Sequence, residues 1–225
     1  MRLRKSSFVD FETGKIILRP MEFLRPLPPL ELLPTELLLL AFQVRVEGWN
    51  LAPAAEMLRL MDVADDQSSA WAHSGFALLA VTSSYFEMIG KILNPGAKSR
   101  GTSSVDFNFG FCEVYPAFAN GVTGRRDVDV PDSAAFRDRL RNGLYHLGMT
   151  KGGLWIHNQP NECPTDFAID EINGNRRYLV NPHGMTRTII QHFGNFIVRL
   201  GATEELHGQF RRFVVDFHRG LNHVE

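Results

Sequence analysis

The chain of 225 residues is long enough for one domain with an extension, and its 44% hydrophobic content, with 17 phenylalanines, can form a sizeable core. Its formal net charge of -1 at pH 7 provides no general basic field. This balance excludes a dedicated DNA coat or a long nucleic-acid groove, although it permits a small, local phosphate site.

Cysteine usage and the length of the apolar runs predict a cytoplasmic protein without a membrane span. Cys112 and Cys163 lie far apart in no Cys-x-x-Cys pattern, which favours two unpaired thiols in a reducing compartment. No apolar signal-peptide core follows the basic residues 1–5, and the longest apolar run, residues 37–42, is too short to cross a bilayer.

Residues 1–33 are predicted to be a proline-rich extension, and residues 34–225 a single helical domain. Four prolines prevent regular helix in the second half of the extension: Pro20, Pro26, Pro28 and Pro29. The leucines between them favour a segment that lies on the domain, and a disordered leader is the alternative.

Helical patterns begin at Pro34. The first predicted helix runs from Thr35 to Trp49, and a second opens at Pro53 and continues through Met61. The strongest pattern covers 69–93 and is apolar nearly all round, which is typical of a helix at the centre of a bundle.

One stripe of the 69–93 helix differs from the rest, because small and charged residues recur at steps of three and four: Ala80, Ser83, Ser84, Glu87, Gly90 and Lys91. Small residues allow another helix to approach closely, so Glu87 is predicted to lie in or beside a helix–helix groove. The alternative for Glu87 is an ion pair with Lys91, one turn further on.

Two more helices are predicted between residues 103 and 147. Residues 103–118 favour a helix, although their phenylalanines leave a strand open, and Asp132-Ser133 cap a helix that runs to about Leu147. Its predicted buried face consists of Phe136, Leu140, Leu144 and Leu147.

At about 153–182 the period changes to that of a small sheet. Strands are predicted at 154–156, 167–172 and 176–180, the last two joined by a turn at Asn173-Gly174. Two helices, at about 185–200 and 203–218, then close the chain. The predicted fold class is therefore mainly α: a helical bundle with a small inserted β-hairpin or three-stranded sheet.

The polar face of the 132–147 helix carries the residues that point to chemistry. Arg141 can neutralise a phosphate, Asn142 follows it directly, and His146 can move a proton near neutral pH; Tyr145 adjoins them. At about 100° per residue, Arg141 and His146 lie about 140° apart, so they converge on one ligand only across a cleft. The spacing alone is weak, because a second Arg-x4-His pair occurs at Arg187 and His192.

The Arg-Asn-x-x-x-His element at residues 141–146, in the second half of a helical bundle, resembles the HEPN superfamily (higher eukaryotes and prokaryotes nucleotide-binding). The likeness covers roughly residues 70–150 and the closing helices in outline, with Glu87 where several members carry an acidic residue. Members are helical bundles that usually dimerise, and many are metal-independent endoribonucleases of toxin–antitoxin, abortive-infection and CRISPR systems.

The resemblance implies a homodimer without cofactor that cleaves RNA by attack of the 2′-hydroxyl, with an antitoxin or regulatory protein as a candidate partner. Arg141, Asn142 and His146 carry over as catalytic residues, and Glu87 and Tyr145 as supporting residues. Family members without catalysis imply an alternative, which is a dimeric module that binds nucleotide, RNA or a protein.

Other kinds of site are weaker in this sequence. His157, Cys163 and His183 lie on or near the predicted sheet and are residue types that bind zinc, but their spacing fits no known frame and a fourth ligand is not evident. We therefore interpret them as surface side chains and expect no metal. The polar face around Arg141 has its own alternative, which is a solvated or dimer-contact surface without catalysis.

Overall fold

The structure, a computed structural model, describes residues 32–63, 74–94, 103–116, 136–142, 152–156 and 166–222. Within these ranges the chain is mainly α-helical and contains one small sheet, which confirms the predicted fold class. The predicted extension, residues 1–33, falls almost wholly outside them, so the division of the chain at residue 33 stays a prediction.

Seven α-helices and three strands lie in the described residues. The helices are α1 (Thr35–Val46), α2 (Ala52–Asp62), α3 (Gly75–Thr82), α4 (Ser84–Leu93), α5 (Ser103–Val114), α6 (Pro182–Ala202) and α7 (Glu204–Asn222). The strands are β1 (Leu154–Ile156), β2 (Phe167–Ile172) and β3 (Asn175–Val180), and two π-helical turns cover Glu47–Leu51 and Asp138–Asn142.

Helices α1 and α2 are continuous through the first π-helical turn, whereas the sequence predicted two separate helices. Pro53 has no N–H, and in an α-helix its ring would clash with the carbonyl of Trp49. The π-helical turn adds one residue before the proline, and the Ala52 N–H bonds to the Glu47 carbonyl. The backbone therefore stays helical at both ends of this turn, from Glu47 to Leu51.

The predicted central helix is confirmed from Gly75 to Leu93, with one interruption at Ser83 between α3 and α4. The Thr82 hydroxyl donates to the Leu78 carbonyl at 2.9 Å, a contact that bends helices. By length and composition alone, this stretch could cross a bilayer, but half of it is buried inside the fold. Core helices pass the same test, so the feature carries no membrane assignment.

The close approach predicted for the small-residue stripe is confirmed at Gly90. A Cβ built there would overlap the carbonyl oxygen of Asp106 on α5, and a Cβ at Gly110 would overlap the carbonyl oxygen of Phe86 on α4. The two helix backbones therefore touch at this crossing, with one glycine on each side.

Aromatic side chains fill the core on both sides of that crossing. Phe86, Phe107, Phe111, Phe136 and Phe167 form one cluster, with ring centroids 5.4 Å apart for Phe86 and Phe107 and 4.6 Å apart for Phe136 and Phe167. The high phenylalanine count thus serves packing, since such edge-to-face pairs add roughly 0.5–1.5 kcal/mol each beyond area burial.

The small sheet is mixed, with β3 in the centre, parallel to β1 and antiparallel to β2. Tyr178 and Val180 face the core, as do Leu154 and Phe167 from the flanking strands. The predicted turn is confirmed: Asn173 and Gly174 both have positive φ, 53° and 76°, as a type I′ hairpin turn requires.

Helix α6 begins at Pro182, three residues before the predicted start. The Asn181 side chain accepts from the Gly184 N–H at 3.1 Å, and Pro182 occupies the first helical position. Asn followed by Pro is a sequence signal for a helix start, so the earlier boundary has a local cause.

Candidate functional site

The segment that precedes the predicted catalytic residues is helical and anchored in the core. Phe136 and Leu140 are fully buried, as their spacing predicted. Arg137 donates to the Ser103 hydroxyl at 3.0 Å, and the Arg139 guanidinium lies 4.7 Å from the centroid of the Tyr178 ring. These contacts fix the segment against α5 on one side and the sheet on the other.

The predicted catalytic residues lie at the edge of the described chain. Arg141 and Asn142 belong to the π-helical turn Asp138–Asn142, but their side chains lie outside the description, as do Tyr145 and His146 altogether. A π-helical turn holds more residues than an α-helical one. The angle of about 140° between Arg141 and His146 assumes α-helical steps and stays a prediction, because residues 143–146 lie outside the described residues.

Glu87, the predicted supporting residue, forms an ion pair with Lys91. Its carboxylate lies 3.4 Å from the Lys91 ammonium, one helical turn further on, and only 13% of the Glu87 side chain is exposed. The alternative that the sequence left open for Glu87 is therefore confirmed.

The second Arg-x4-His pair does not converge on one point. The Arg187 guanidinium donates to Asp62 at 2.7 Å, at the end of α2. The His192 ring, five residues later, bonds through Nδ1 to the Tyr85 hydroxyl on α4 at 2.7 Å. This pair joins α6 to two different helices.

His183 corrects one prediction, because it is buried and not a surface side chain. It is 2% exposed, and its Nδ1 lies 3.0 Å from the Asp62 carboxylate. Its position in the first turn of α6 turns the ring towards α2, which the sheet-based placement did not anticipate. His157 and Cys163 lie outside the described residues, and the described part of the chain holds no cluster of three metal-binding side chains.

The structure brings together a different polar cluster, in a cleft of ≈ 420 Å³ between α5 and α6. Glu113 on α5 accepts a hydrogen bond from the Arg199 guanidinium and is itself 6% exposed. The His192 Nε2 lies 3.9 Å from the same carboxylate oxygen, and Tyr85 stands behind the histidine ring.

The Tyr85 hydroxyl sets the orientation of the histidine. Burial raises the pKa of Tyr85 well above its ordinary value, and the Glu113 charge raises the pKa further, while Arg199 opposes that effect. The phenol therefore keeps its proton at neutral pH and can donate it to Nδ1 of neutral His192. In that tautomer, the Nε2 of His192 carries the N–H and faces the cleft.

Sequence reasoning missed this cluster, although two signals pointed to it. Tyr85 is a polar residue in a helix that is otherwise apolar nearly all round, and such a hydroxyl needs a partner when buried. His192, Asn195 and Arg199 also recur at three- and four-residue steps along one face of α6. Neither signal identifies Glu113 as the acceptor.

Comparisons with known proteins give no relative from which to assign a role to these residues: no family model, no curated protein and no solved structure matches this chain.

Proposed function

We propose that this chain is a HEPN-like, metal-independent endoribonuclease whose catalytic residues are Arg141, Asn142 and His146. The observation that carries the proposal is the burial of Phe136 and Leu140, which anchors the turn leading directly into Arg141 and Asn142. Catalytic side chains need a rigid support, and a helix packed on an aromatic core provides one. A mainly α fold also agrees with the resemblance of the sequence.

The proposed reaction cleaves the phosphodiester by transesterification. His146 takes the proton from the ribose 2′-hydroxyl as its oxygen bonds to phosphorus, and the bond from phosphorus to the 5′-oxygen breaks. The leaving oxygen gains a proton, and the product carries a 2′,3′-cyclic phosphate. Arg141 stabilises the charge that grows on the phosphate oxygens, and Asn142 orients the imidazole or the phosphate.

A homodimer belongs to the proposal, because the sequence predicts Arg141 and His146 on one helix, where they require an opposing surface. A second copy of the helix would supply that surface and a second histidine for protonating the leaving oxygen. Sedimentation velocity of the purified chain measures this directly, and a monomer at the concentrations that cleave RNA would contradict the dimeric arrangement.

The test is cleavage of RNA in the presence of EDTA. We expect His146→Ala and Arg141→Ala to lower the cleavage rate at least about a hundredfold, since general acid–base catalysis and charge stabilisation each contribute that much. Matched controls are His207→Ala, which alters a partly exposed histidine on α7, and Arg187→Ala, which removes the arginine of the second pair. Both controls should cleave at the wild-type rate.

The corresponding experiment in cells measures the growth rate when each variant is expressed. A ribonuclease of this class should slow growth, and both motif variants should relieve the effect. Cleavage that survives in His146→Ala, or that disappears equally in His207→Ala, would contradict the assignment.

A second candidate function is RNA binding without cleavage. Two exposed tryptophans each lie beside an arginine: Trp49, 69% exposed, 5.0 Å from Arg45, and Trp155, 54% exposed, 5.5 Å from Arg177. Bases of single-stranded RNA stack on such side chains, and the guanidinium contacts the phosphate. Saturable binding of labelled RNA with no cyclic-phosphate product would support this candidate over the enzyme.

A further inference from the structure

One face of α6 directs hydrogen-bond donors into the α5–α6 cleft. His192, Asn195 and Arg199 share this face, at positions i, i+3 and i+7. The His192 Nε2 is 3.9 Å from Glu113, which is beyond hydrogen-bonding distance. The exposed Asn195 side chain makes no hydrogen bond within the described part of the chain.

The negative charge of the carboxylate in the cleft is already compensated by an ion pair. Glu113 is 6% exposed and accepts from one nitrogen of Arg199, whose side chain is 46% exposed. A guanidinium has five N–H donors in a rigid fork, so this bond leaves other donors on a side chain that lines the cleft. Among the described side chains that line the cleft, donors therefore outnumber acceptors, which is the chemistry of a site for an anion.

The walls of the cleft are apolar. Pro116 and the buried Cys112 line one side, and the Phe196 ring lies stacked on His192 on the other, with centroids 5.9 Å apart. A volume of ≈ 420 Å³ falls in the range of small-molecule sites and exceeds what a bare inorganic anion fills. The ligand should therefore carry an apolar or planar body as well as a charge.

We propose that the α5–α6 cleft binds a small organic oxyanion, a carboxylate or a phosphate monoester, through His192, Asn195 and Arg199. This site uses none of the residues of the proposed ribonuclease centre. The oxyanion takes the donors of α6 at the mouth, and the body of the ligand lies against Phe196 and Pro116.

The experiment is isothermal titration calorimetry of the full chain with three probes that share one ring: benzoate, phenyl phosphate and the neutral benzyl alcohol. Asn195→Asp places a negative charge at the exposed rim without disturbing the core, and it should weaken binding about tenfold. Arg187→Gln, on the same helix but bonded to Asp62, is the matched control and should bind within about twofold of wild type.

Saturable binding of benzoate or phenyl phosphate, weakened in Asn195→Asp and kept in Arg187→Gln, supports the proposal, and the stronger probe identifies the oxyanion. Three results would overturn it: no binding of either anion up to about 10 mM, equal binding of benzyl alcohol, or equal affinity in Asn195→Asp. A failure of RNA cleavage has no bearing on these outcomes, because the variants and probes are different.

Discussion

Gly90 and Gly110 determine how closely α4 and α5 can pack. A side chain at Gly90 would have to displace the Asp106 carbonyl, which is backbone and cannot rotate away. We expect Gly90→Ala to lower the free energy of unfolding by about 2–3 kcal/mol, because overpacking at a rigid contact forces the backbones apart. Urea unfolding followed by circular dichroism measures the loss.

The matched control for that substitution is Gly194→Ala. Gly194 lies in the exposed face of α6, and a Cβ there meets nothing within 4 Å. Alanine is the better helix former by about 0.5–1 kcal/mol, so this variant should be slightly more stable than wild type. Equal effects of the two substitutions would show that the close approach at Gly90 does not contribute to the free energy of unfolding.

Residue patterns predicted one side of each contact but not its partner. The stripe that contains Gly90 is visible in the sequence, whereas Gly110, on the other side of the crossing, is not distinguished by any periodicity. The cleft depends still more on distant pairs: Tyr85 and His192 are 107 positions apart, and Glu113 and Arg199 are 86 apart. Such contacts depend on the packing of helices, which one sequence does not encode as a local pattern.

The β2–β3 hairpin shows what local sequence does determine at the scale of an element. Gly174 has φ of 76°, and nothing lies within 4 Å of a Cβ built there. Replacement by alanine therefore tests the backbone conformation alone. We expect Gly174→Ala to lower the free energy of unfolding by about 1–2 kcal/mol, the cost of a left-handed residue with a side chain.

Gly152 provides the comparison for the hairpin, because it also lies in an exposed turn with open space but without a positive φ. Gly152→Ala should leave the midpoint of urea unfolding unchanged. If Gly174→Ala also left the midpoint of urea unfolding unchanged, the turn would tolerate other conformations and the register of β2 on β3 would not depend on it.

Elements that a local sequence signal determines were predicted well. Elements in which the backbone adjusts to tertiary packing were not. Asn173-Gly174 between two alternating runs was enough to place the hairpin. Pro53 predicted a helix boundary by the ordinary rule, but a π-helical turn carries the backbone through it. The choice between breaking a helix and bulging it depends on the burial of Leu51 and Ala54 on either side, which is a tertiary property.

At the scale of the whole molecule, the described helices are joined by polar contacts as well as by the aromatic core. Asp62 at the end of α2 binds both His183 and Arg187 of α6, and Asp166, just before β2, accepts from Tyr115 and Thr188. Tyr115 must stay protonated to donate to Asp166, and Tyr85 joins α4 to α6 through its contact with His192. Both phenols are buried, which has a consequence for stability at high pH.

We predict that stability falls steeply above about pH 10 because of Tyr85 and Tyr115. Burial raises the pKa of both phenols, and nearby carboxylates, Glu113 and Asp166, raise each pKa further. Above the ordinary tyrosine value of about 10, the unfolded chain loses these protons while the folded chain retains them. The folded state then binds more protons, so each tyrosine lowers the free energy of unfolding by up to about 1.4 kcal/mol per pH unit.

Tyr85→Phe isolates one of these contributions. Below about pH 10 the variant should be roughly 1 kcal/mol less stable than wild type, since the hydrogen bond to His192 is lost. Above that pH its stability should fall less steeply with pH than that of wild type, and the two curves should converge.

Urea unfolding at a series of alkaline pH values, with tyrosinate absorbance recorded on the same samples, measures both the stability and the ionisation. Because a buried phenol ionises only when the chain unfolds, tyrosinate from Tyr85 should appear together with the loss of helix. Parallel stability curves for the two proteins would show that Tyr85 ionises in the folded state, and the hydroxyl would then not be enclosed between α4 and α6.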